Sequence, residues 1–334
     1  MSTNLSHSHT RTQLGRSGPS VFPVALGCMA MSGAYGASDE SESVATIVEA
    51  IERGVTLIDT GDFYDSGHNE LIVRRGIEGR RDKVQLSVKF GAMRGPDGAM
   101  LGFDARPAAV KNFVTYSLRR LRVDVIDVYR PARLDPQVPI EETVGAIADL
   151  VKAGYVRHIG LSEVGVDTIR RAANVHPIVD LQIEYSVITR GPEEVIFPAL
   201  EELGISATLY GVLSRGLLTG SKVGNKGDNR IHMPRFSGAA GEQNAVAVSH
   251  LHAFAKNRDM TPAQLSVAWV LAKQSAFVPV VGARTREQLR DVLAVVEKPL
   301  SAADVAAVET ILPKDAIAGT RYPAALMKTL DSER

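Results

Sequence analysis

Residues 123–162, VDVIDVYRPARLDPQVPIEETVGAIADLVKAGYVRHIGLS, hold one repeating unit of the fold in a single stretch. VDVIDVY and VRHIGLS are strand-length and rich in β-branched residues, as expected for strands apolar on both faces in a buried parallel sheet. Between them Ile140, Val144, Ile147 and Val151 recur at helical spacing, opened by Pro139 and closed by Gly154. The order is strand, helix, strand.

The same alternation runs outward in both directions. VALGC, VTLID and VQLSVKF precede the stretch, and VDLQIEY, ISATLY and FVPVVGA follow it. Val44, Ile47, Val48 and Ile51 form a second helical stripe, stopped at Gly54. Roughly eight strand–helix units in one chain predict an α/β fold, a (β/α)8 TIM barrel. A doubly wound dinucleotide fold competes, but GCMAMSGAYG does not match the G-x-G-x-x-G that such a fold places after an early strand. Ahead of the barrel, RTQLGRSGPSVFPVALG reads as an N-terminal β-hairpin, and residues 1–10 read as a polar, mobile N-terminus. Residues 11–334 are expected to form a single barrel domain. After strand 7, GVLSRGLLTGSKVGNKGDNRIHMPRFSGAAG runs to a helix expected near Gln243, and its length suggests a functional loop.

Composition narrows the function. With 334 residues, 45% of them hydrophobic, the chain can bury a large core. Its 38 basic and 38 acidic residues leave no electrostatic footprint for nucleic acid or a membrane surface. Apolar runs are strand-length, and no signal peptide is visible. Cys28 is the single cysteine, so an internal disulfide is excluded and a reducing, cytoplasmic setting is expected. At the end of the first strand it reads as a buried, inert thiol. Trp269 reads as a packing residue on a helix. No metal site is expected: His250 and His252 lie two apart, on different faces of a helix, and His7 and His9 fall in the N-terminal segment.

In a parallel barrel all strand C-termini share one face, so residues distant in sequence converge there. Asp59 and Lys89 close consecutive strands, and Tyr64 sits just above. A free phenol, with a pKa of about 10, is a poor acid near neutrality. A nearby ammonium would lower it, and a carboxylate would keep that ammonium charged. Tyr64 would then move the proton, Lys89 tune it and Asp59 hold Lys89. Spacing alone also allows a buried Asp59–Lys89 ion pair beneath a rim aromatic.

At these residues the chain resembles the aldo-keto reductase superfamily. GCMAMSGAYG, LIDTGDFYDSGHNE, the lysine of LSVKF, VPIEETVGAIADLVKAGYVRHIGLSE, LQIEYS, YGVLSRGLLTG and VGARTREQL are similar to its successive motifs, in order, over nearly the whole chain. The resemblance implies a (β/α)8 barrel, capped below by the hairpin, that binds a nicotinamide cofactor without a Rossmann domain. The loop after strand 7 would cover that cofactor. By matching position, Asp59, Tyr64 and Lys89 resemble three members of the family's catalytic tetrad. Gly27 and Met29 fall in the first cofactor-binding motif. Ser162, Glu163 and Gln182 would border the nicotinamide carboxamide, and Tyr210 would lie against its ring. Leu213, Arg215 and Gly216 would cross the pyrophosphate; Gly282, Arg284, Gln288 and Asp291 would border the adenosine ribose and its phosphate. A guanidinium at a helix start suits a 2′-phosphate, so Arg284 reads as a sign of NADP(H), with a solvated arginine as the alternative.

Four positions depart from the family pattern. Ala132 stands where the tetrad usually has histidine, Glu163 where asparagine is common, Gly211 for a frequent serine and Val292 for an asparagine. Losing a donor at the reacting oxygen typically costs on the order of 10²–10³ in rate. Arg130 could reach in as a substitute, or pair with an acidic neighbour instead. Pyridoxal-reductase-like relatives share this kind of replacement, which brings pyridoxal into the substrate range. The leading expectation is an NADPH-dependent reductase of small-molecule aldehydes and ketones, with homo-oligomerisation open. A nicotinamide-binding redox sensor or regulatory subunit with slow turnover is the alternative, and reduction of a conjugated alkene a third reading.

Overall fold

The structure is a computed structural model that describes residues 11–224 and 228–334. The N-terminal segment 1–10, expected to be mobile, lies outside the described residues. Eight parallel strands close into a barrel in chain order. They are β1 (Ala25–Gly27), β2 (Leu57–Gly61), β3 (Gln85–Phe90), β4 (Ile126–Pro131), β5 (Val156–Ser162), β6 (Ile178–Glu184), β7 (Ser206–Tyr210) and β8 (Val278–Gly282). Pairing of Val280–Gly282 with Ala25–Gly27 completes the ring. The barrel expected from the alternation is present.

The helices pack outside. They are α1 (Glu40–Glu52), α2 (His68–Ile77), α3 (Pro107–Leu121), α4 (Ile140–Lys152), α5 (Val166–Val175) and α6 (Ile196–Leu203). Two more, α7 (Gly238–Lys256) and α8 (Pro262–Lys273), separate β7 from β8, and α9 (Arg286–Leu293) and α10 (Ala302–Ile311) follow. α4 starts after Pro139, and its chain leaves through Gly154 at φ 85°, a left-handed turn that glycine adopts without strain. α8 opens with a reciprocal cap between Thr261 and Gln264.

At the barrel's N-terminal end, Thr12–Gln13 pairs antiparallel with Ser20–Val21. Leu14 and Val21 then pack with Ala25, Leu57, Val278 and Val280 as an apolar plug. A second hairpin, Ala92–Arg94 with Met100–Phe103, follows β3 and was not anticipated. Its Pro96-Asp97-Gly98 turn carries the signal, with the Asp97 carboxylate accepting from the Ala99 amide at 2.9 Å. The Gly-rich stretch after β7 is shorter than expected, because α7 begins at Gly238 and not near Gln243. Short 3-10 turns at Ser214–Gly216, Asn229–His232 and Pro234–Phe236 order it. Asp228 forms a β-bridge with Tyr35, which ties this stretch to the loop after β1.

The strands are not apolar on both faces. Ile58, Leu86, Val88, Tyr129, Ile159, Leu161, Leu181, Ile183 and Leu209 belong to the main apolar core. Alternate positions carry Asp59, Ser87, Lys89, Arg130, Asp180, Gln182 and Thr208, all buried. Their hydrogen bonds run from strand to strand. Arg130 donates to Asp180 Oδ2 at 2.9 Å, to Thr208 Oγ1 at 3.0 Å and to Ser87 Oγ at 3.1 Å. Charges survive at 0% exposure there because each meets an opposite charge and neutral donors.

Gly160 on β5 is the position where this layer leaves no room. A Cβ there would lie 2.6 Å from Asp180 Oδ1 and 3.1 Å from Arg130 Nε. Gly160→Ala should therefore destabilise the protein by about 1–3 kcal/mol, through displacement of a buried ion pair. Gly145→Ala, in α4 with nothing within 4 Å, should instead stabilise by about 0.5–1 kcal/mol. Urea unfolding of both variants checks this, and equal effects would contradict it.

Candidate active site

Register places the candidate residues at one end of the barrel. Gly27 pairs with Asp59 on one side and Gly282 on the other, Gly61 with Lys89, Ser162 with Gln182, and Glu184 with Tyr210. Met29 opens a 3-10 turn directly beyond β1. Lys89 Nζ donates to Asp59 Oδ1 at 2.5 Å, and both side chains are almost fully enclosed. Asp59 Oδ2 accepts from Ser87 Oγ at 2.7 Å and Gln182 Nε2 at 2.8 Å. Burial alone would raise the Asp59 pKa, but Lys89 and then Arg130 hold it below the ordinary carboxylate value. Burial lowers the Lys89 pKa, and Asp59 opposes that loss.

Tyr64 lies directly above. Its ring centroid is 5.2 Å from Lys89 Nζ. The next three residues, Asp65, Ser66 and Gly67, all take positive φ (47°, 52° and 94°). Two non-glycine residues in that region carry strain, which fixes how the tyrosine enters the mouth. Burial, and then the negative charge of Asp59, raises the phenol well above its ordinary pKa. The lowering expected from Lys89 does not prevail in this state, because burial is the largest influence on the phenol.

Arg130 is not the substitute donor considered for the reacting oxygen. Its guanidinium is fully buried in the layer with Asp180, Thr208 and Ser87. Ala132, just past β4, is itself buried.

A second network closes the mouth near β5, β6 and β7, and sequence reasoning missed most of it. Glu163 stands at φ 54°, a left-handed position that asparagine occupies more readily than glutamate. Arg321, from the C-terminal segment, grips its carboxylate with two bonds of 2.9 and 2.6 Å. Ser332 Oγ and Tyr210 OH each donate to it at 2.6 Å. Tyr210 OH also lies 3.0 Å from Tyr322 OH. Arg215 donates to Glu184 Oε2 at 2.9 Å and stacks over the Tyr322 ring at 4.4 Å. Gly211 fits this crowding: at φ 70°, a Cβ would meet Glu184 Cγ at 2.9 Å, so a serine there would clash. No periodic pattern marks the C-terminal residues.

The remaining candidates divide. Leu213 and Gly216 lie in the turn where Gly216 N donates to the Leu213 carbonyl. Gln288 Oε1 accepts from the Arg284 amide at 2.9 Å at the start of α9. Asp291 is committed to Thr261 and Gln264 at the start of α8. Val292 is buried in the apolar core. Cys28 is fully enclosed, and burial pushes its thiol pKa far up. Trp269 is also fully enclosed and stacks on Tyr185 at 5.4 Å.

The barrel and its mouth are those of a (β/α)8 oxidoreductase. The chain belongs to the aldo/keto reductase family, whose model matches residues 23–313, and that family reduces carbonyl compounds with NAD(P)H. It is 37% identical over 318 residues to probable aldo-keto reductase 1 from Glycine max, covering 93% of this chain and 91% of that one. Among solved structures it is similar to the glycerol dehydrogenase from Gluconobacter oxydans, with a TM-score of 0.82 and 28% identity over 94% of this chain and 99% of that one. An aldo-keto reductase from Bacillus halodurans, in its holo form, gives 0.77 and 28% over 92% and 97%. No described helix is long and apolar enough to cross a membrane.

The Glu163–Arg321 contact has a measurable acid signature. Burial alone would raise the Glu163 pKa, but Arg321 and then Arg133 bring it down from 4.5 to about 2. A depressed folded pKa gives stability that is complete above the unfolded value and is lost as pH falls through the folded one. Wild type should therefore lose roughly 3 kcal/mol more than Glu163→Gln between pH 4.5 and 2. Urea unfolding across that range checks the difference; parallel curves would refute it.

Proposed function

We propose that the protein is an NADPH-dependent reductase of aldehydes and ketones, with Tyr64 as proton donor. The observation that carries this reading is the stack of Tyr64 over the buried Lys89–Asp59 pair at the barrel mouth. A phenol held above its ordinary pKa is protonated at neutral pH, the state a donor needs. When bound, the nicotinamide supplies the hydride. The residues present suit it. Ser162 Oγ is buried without a hydrogen-bond partner among the described residues, as is Ser214 Oγ in the turn expected to cross the pyrophosphate. Those are open positions for a carboxamide and a phosphate oxygen. Gln182 spends its Nε2 on Asp59 and Thr208, which leaves Oε1 as an acceptor for the carboxamide. Tyr210 would border the ring, its hydroxyl held by Glu163.

Arg284 supports NADP(H) over NAD(H). The two other arginines at the start of α9 and within it are paired, Arg286 with Glu42 and Arg290 with Glu49. Among the described residues the Arg284 side chain meets the carbonyls of Tyr35 and Ala37, at 3.3 and 3.5 Å, and no carboxylate within 4 Å. Its charge is left for a 2′-phosphate. Arg284→Ala should weaken NADPH binding by about 10–100-fold, an amount typical of a lost charged contact. NADH binding should change little, and fluorescence titration with both cofactors checks this; equal weakening would remove the 2′-phosphate from its role.

Single-turnover mixing of bound NADPH with a panel of carbonyls, pyridoxal included, tests the chemistry. Oxidation should fall at least about 10²-fold in Tyr64→Phe. Ala132 favours one second reading, a nicotinamide-binding redox sensor with slow turnover. Tight NADPH binding without oxidation by any carbonyl would support that reading and defeat the reductase. The family, the absence of any electrostatic footprint for nucleic acid and the reducing environment suited to Cys28 also support a cytoplasmic enzyme acting on small molecules, with its oligomeric state open.

A further inference from the structure

Charges around the barrel mouth are matched almost one for one. Lys89 meets Asp59, Arg130 meets Asp180, Arg215 and Arg235 meet Glu184, and Arg321 meets Glu163. Arg133 does not fit this accounting. It follows Ala132 directly beyond β4, is only half-buried, and makes no ion pair within 4 Å among the described residues. Among the described residues its side chain donates one hydrogen bond, from Nη1 to the carbonyl of Ala132 at 2.6 Å, which folds it back over the alanine.

The surroundings locate the guanidinium. Its charge acts on Tyr64 after β2, on Lys89 at the end of β3, on Glu163 after β5 and on Tyr210 at the end of β7. Groups from four sectors of the ring all feel it. A side chain turned outward from β4 would not face the opposite side of the barrel, so Arg133 is turned toward the mouth.

We propose that Arg133 makes this a site for anionic carbonyl compounds, its guanidinium receiving a carboxylate or phosphate on the substrate while the carbonyl group reaches Tyr64. This rests on the reductase reading of the same site. A planar, permanently charged fork in a partly dehydrated mouth suits such an oxyanion, through two parallel N–H···O bonds. Glu163 feels the Arg133 charge but is hydrogen-bonded by Arg321, and Asp59 by Lys89, so neither forms an ion pair with Arg133.

The test compares matched substrates on the NADPH-loaded enzyme: 4-oxobutanoate with butanal for a carboxylate, and pyridoxal 5′-phosphate with pyridoxal for a phosphate. In wild type kcat/KM should favour the anionic member of at least one pair by about 30-fold or more, and the pair that shows it names the anion. Arg133→Met should reduce that ratio to within about threefold of one, and Arg133→Lys should retain part of it. Titration calorimetry with unreactive succinate or inorganic phosphate gives a second readout, with binding that weakens at least about tenfold in Arg133→Met. Equal loss on charged and neutral substrates would make Arg133 a second donor to the reacting oxygen and overturn the proposal. A wild type indifferent to substrate charge would overturn it as well. If wild type binds NADPH but reduces no member of either pair, while succinate or phosphate still binds through Arg133, the reductase reading fails and the anion site stands.

Discussion

The candidate chemistry depends on a closed circuit of hydrogen bonds inside the barrel. From Arg130 it passes through Ser87 to Asp59, across Gln182 to Thr208, and through Asp180 back to Arg130. Lys89 hangs from this circuit by its bond to Asp59. Two acids and two bases are buried here with no net charge. Removing any one would leave an uncompensated ion in a region that water does not reach, a far larger penalty than the net gain from keeping the pair. The circuit therefore contributes little to overall stability but fixes where Lys89 Nζ stands. Since Tyr64 sits over that ammonium, the phenol's position follows from interactions up to two strand positions below it.

That dependence also explains which parts could be read in advance. β-branched strands, the Pro139 and Gly154 boundaries of α4 and the converging strand ends are local or periodic properties, and the barrel followed from them. Asp59, Tyr64 and Lys89 were visible because each is a chemically loaded side chain at a strand end. Ser87 stands two residues before Lys89 and shares its face, so period two could have found it. Arg130, Asp180 and Thr208 could be assigned to the interior only once strand neighbours were known. The bonded pairs are 50 and 78 residues apart in the chain. Reading the strands as apolar on both faces failed for the same reason: polar residues are stable inside only with partners supplied by other strands.

The C-terminal segment posed a harder problem. Arg321, Tyr322 and Ser332 come from a region with no regular apolar spacing, yet they close the side of the mouth formed by β5 and β7. What anchors them is Glu163, whose left-handed backbone is strained for a glutamate and whose carboxylate collects five donor bonds, one of them from the Glu184 amide. Asparagine would fit that backbone more easily, but it has no charge with which to hold Arg321. The substitution exchanges backbone comfort for a tie to a segment more than 150 residues away. Asp331 extends the tie by accepting from the Gly165 amide and Thr168 Oγ1 at the start of α5.

These two networks set the electrostatic character of the mouth. Each pairs its charges internally, so neither presents a strong field to an incoming molecule. Such neutrality suits a site that must hold a nicotinamide whose charge changes during reaction, because a surplus carboxylate beside the ring would favour the cationic, oxidised form. It also means that one unmatched group can dominate recognition. Arg133, two residues beyond the end of β4, feels Glu163 but forms no ion pair within 4 Å among the described residues. Paired ions beneath thus give the scaffold its geometry, while the unpaired one above gives the mouth its sign.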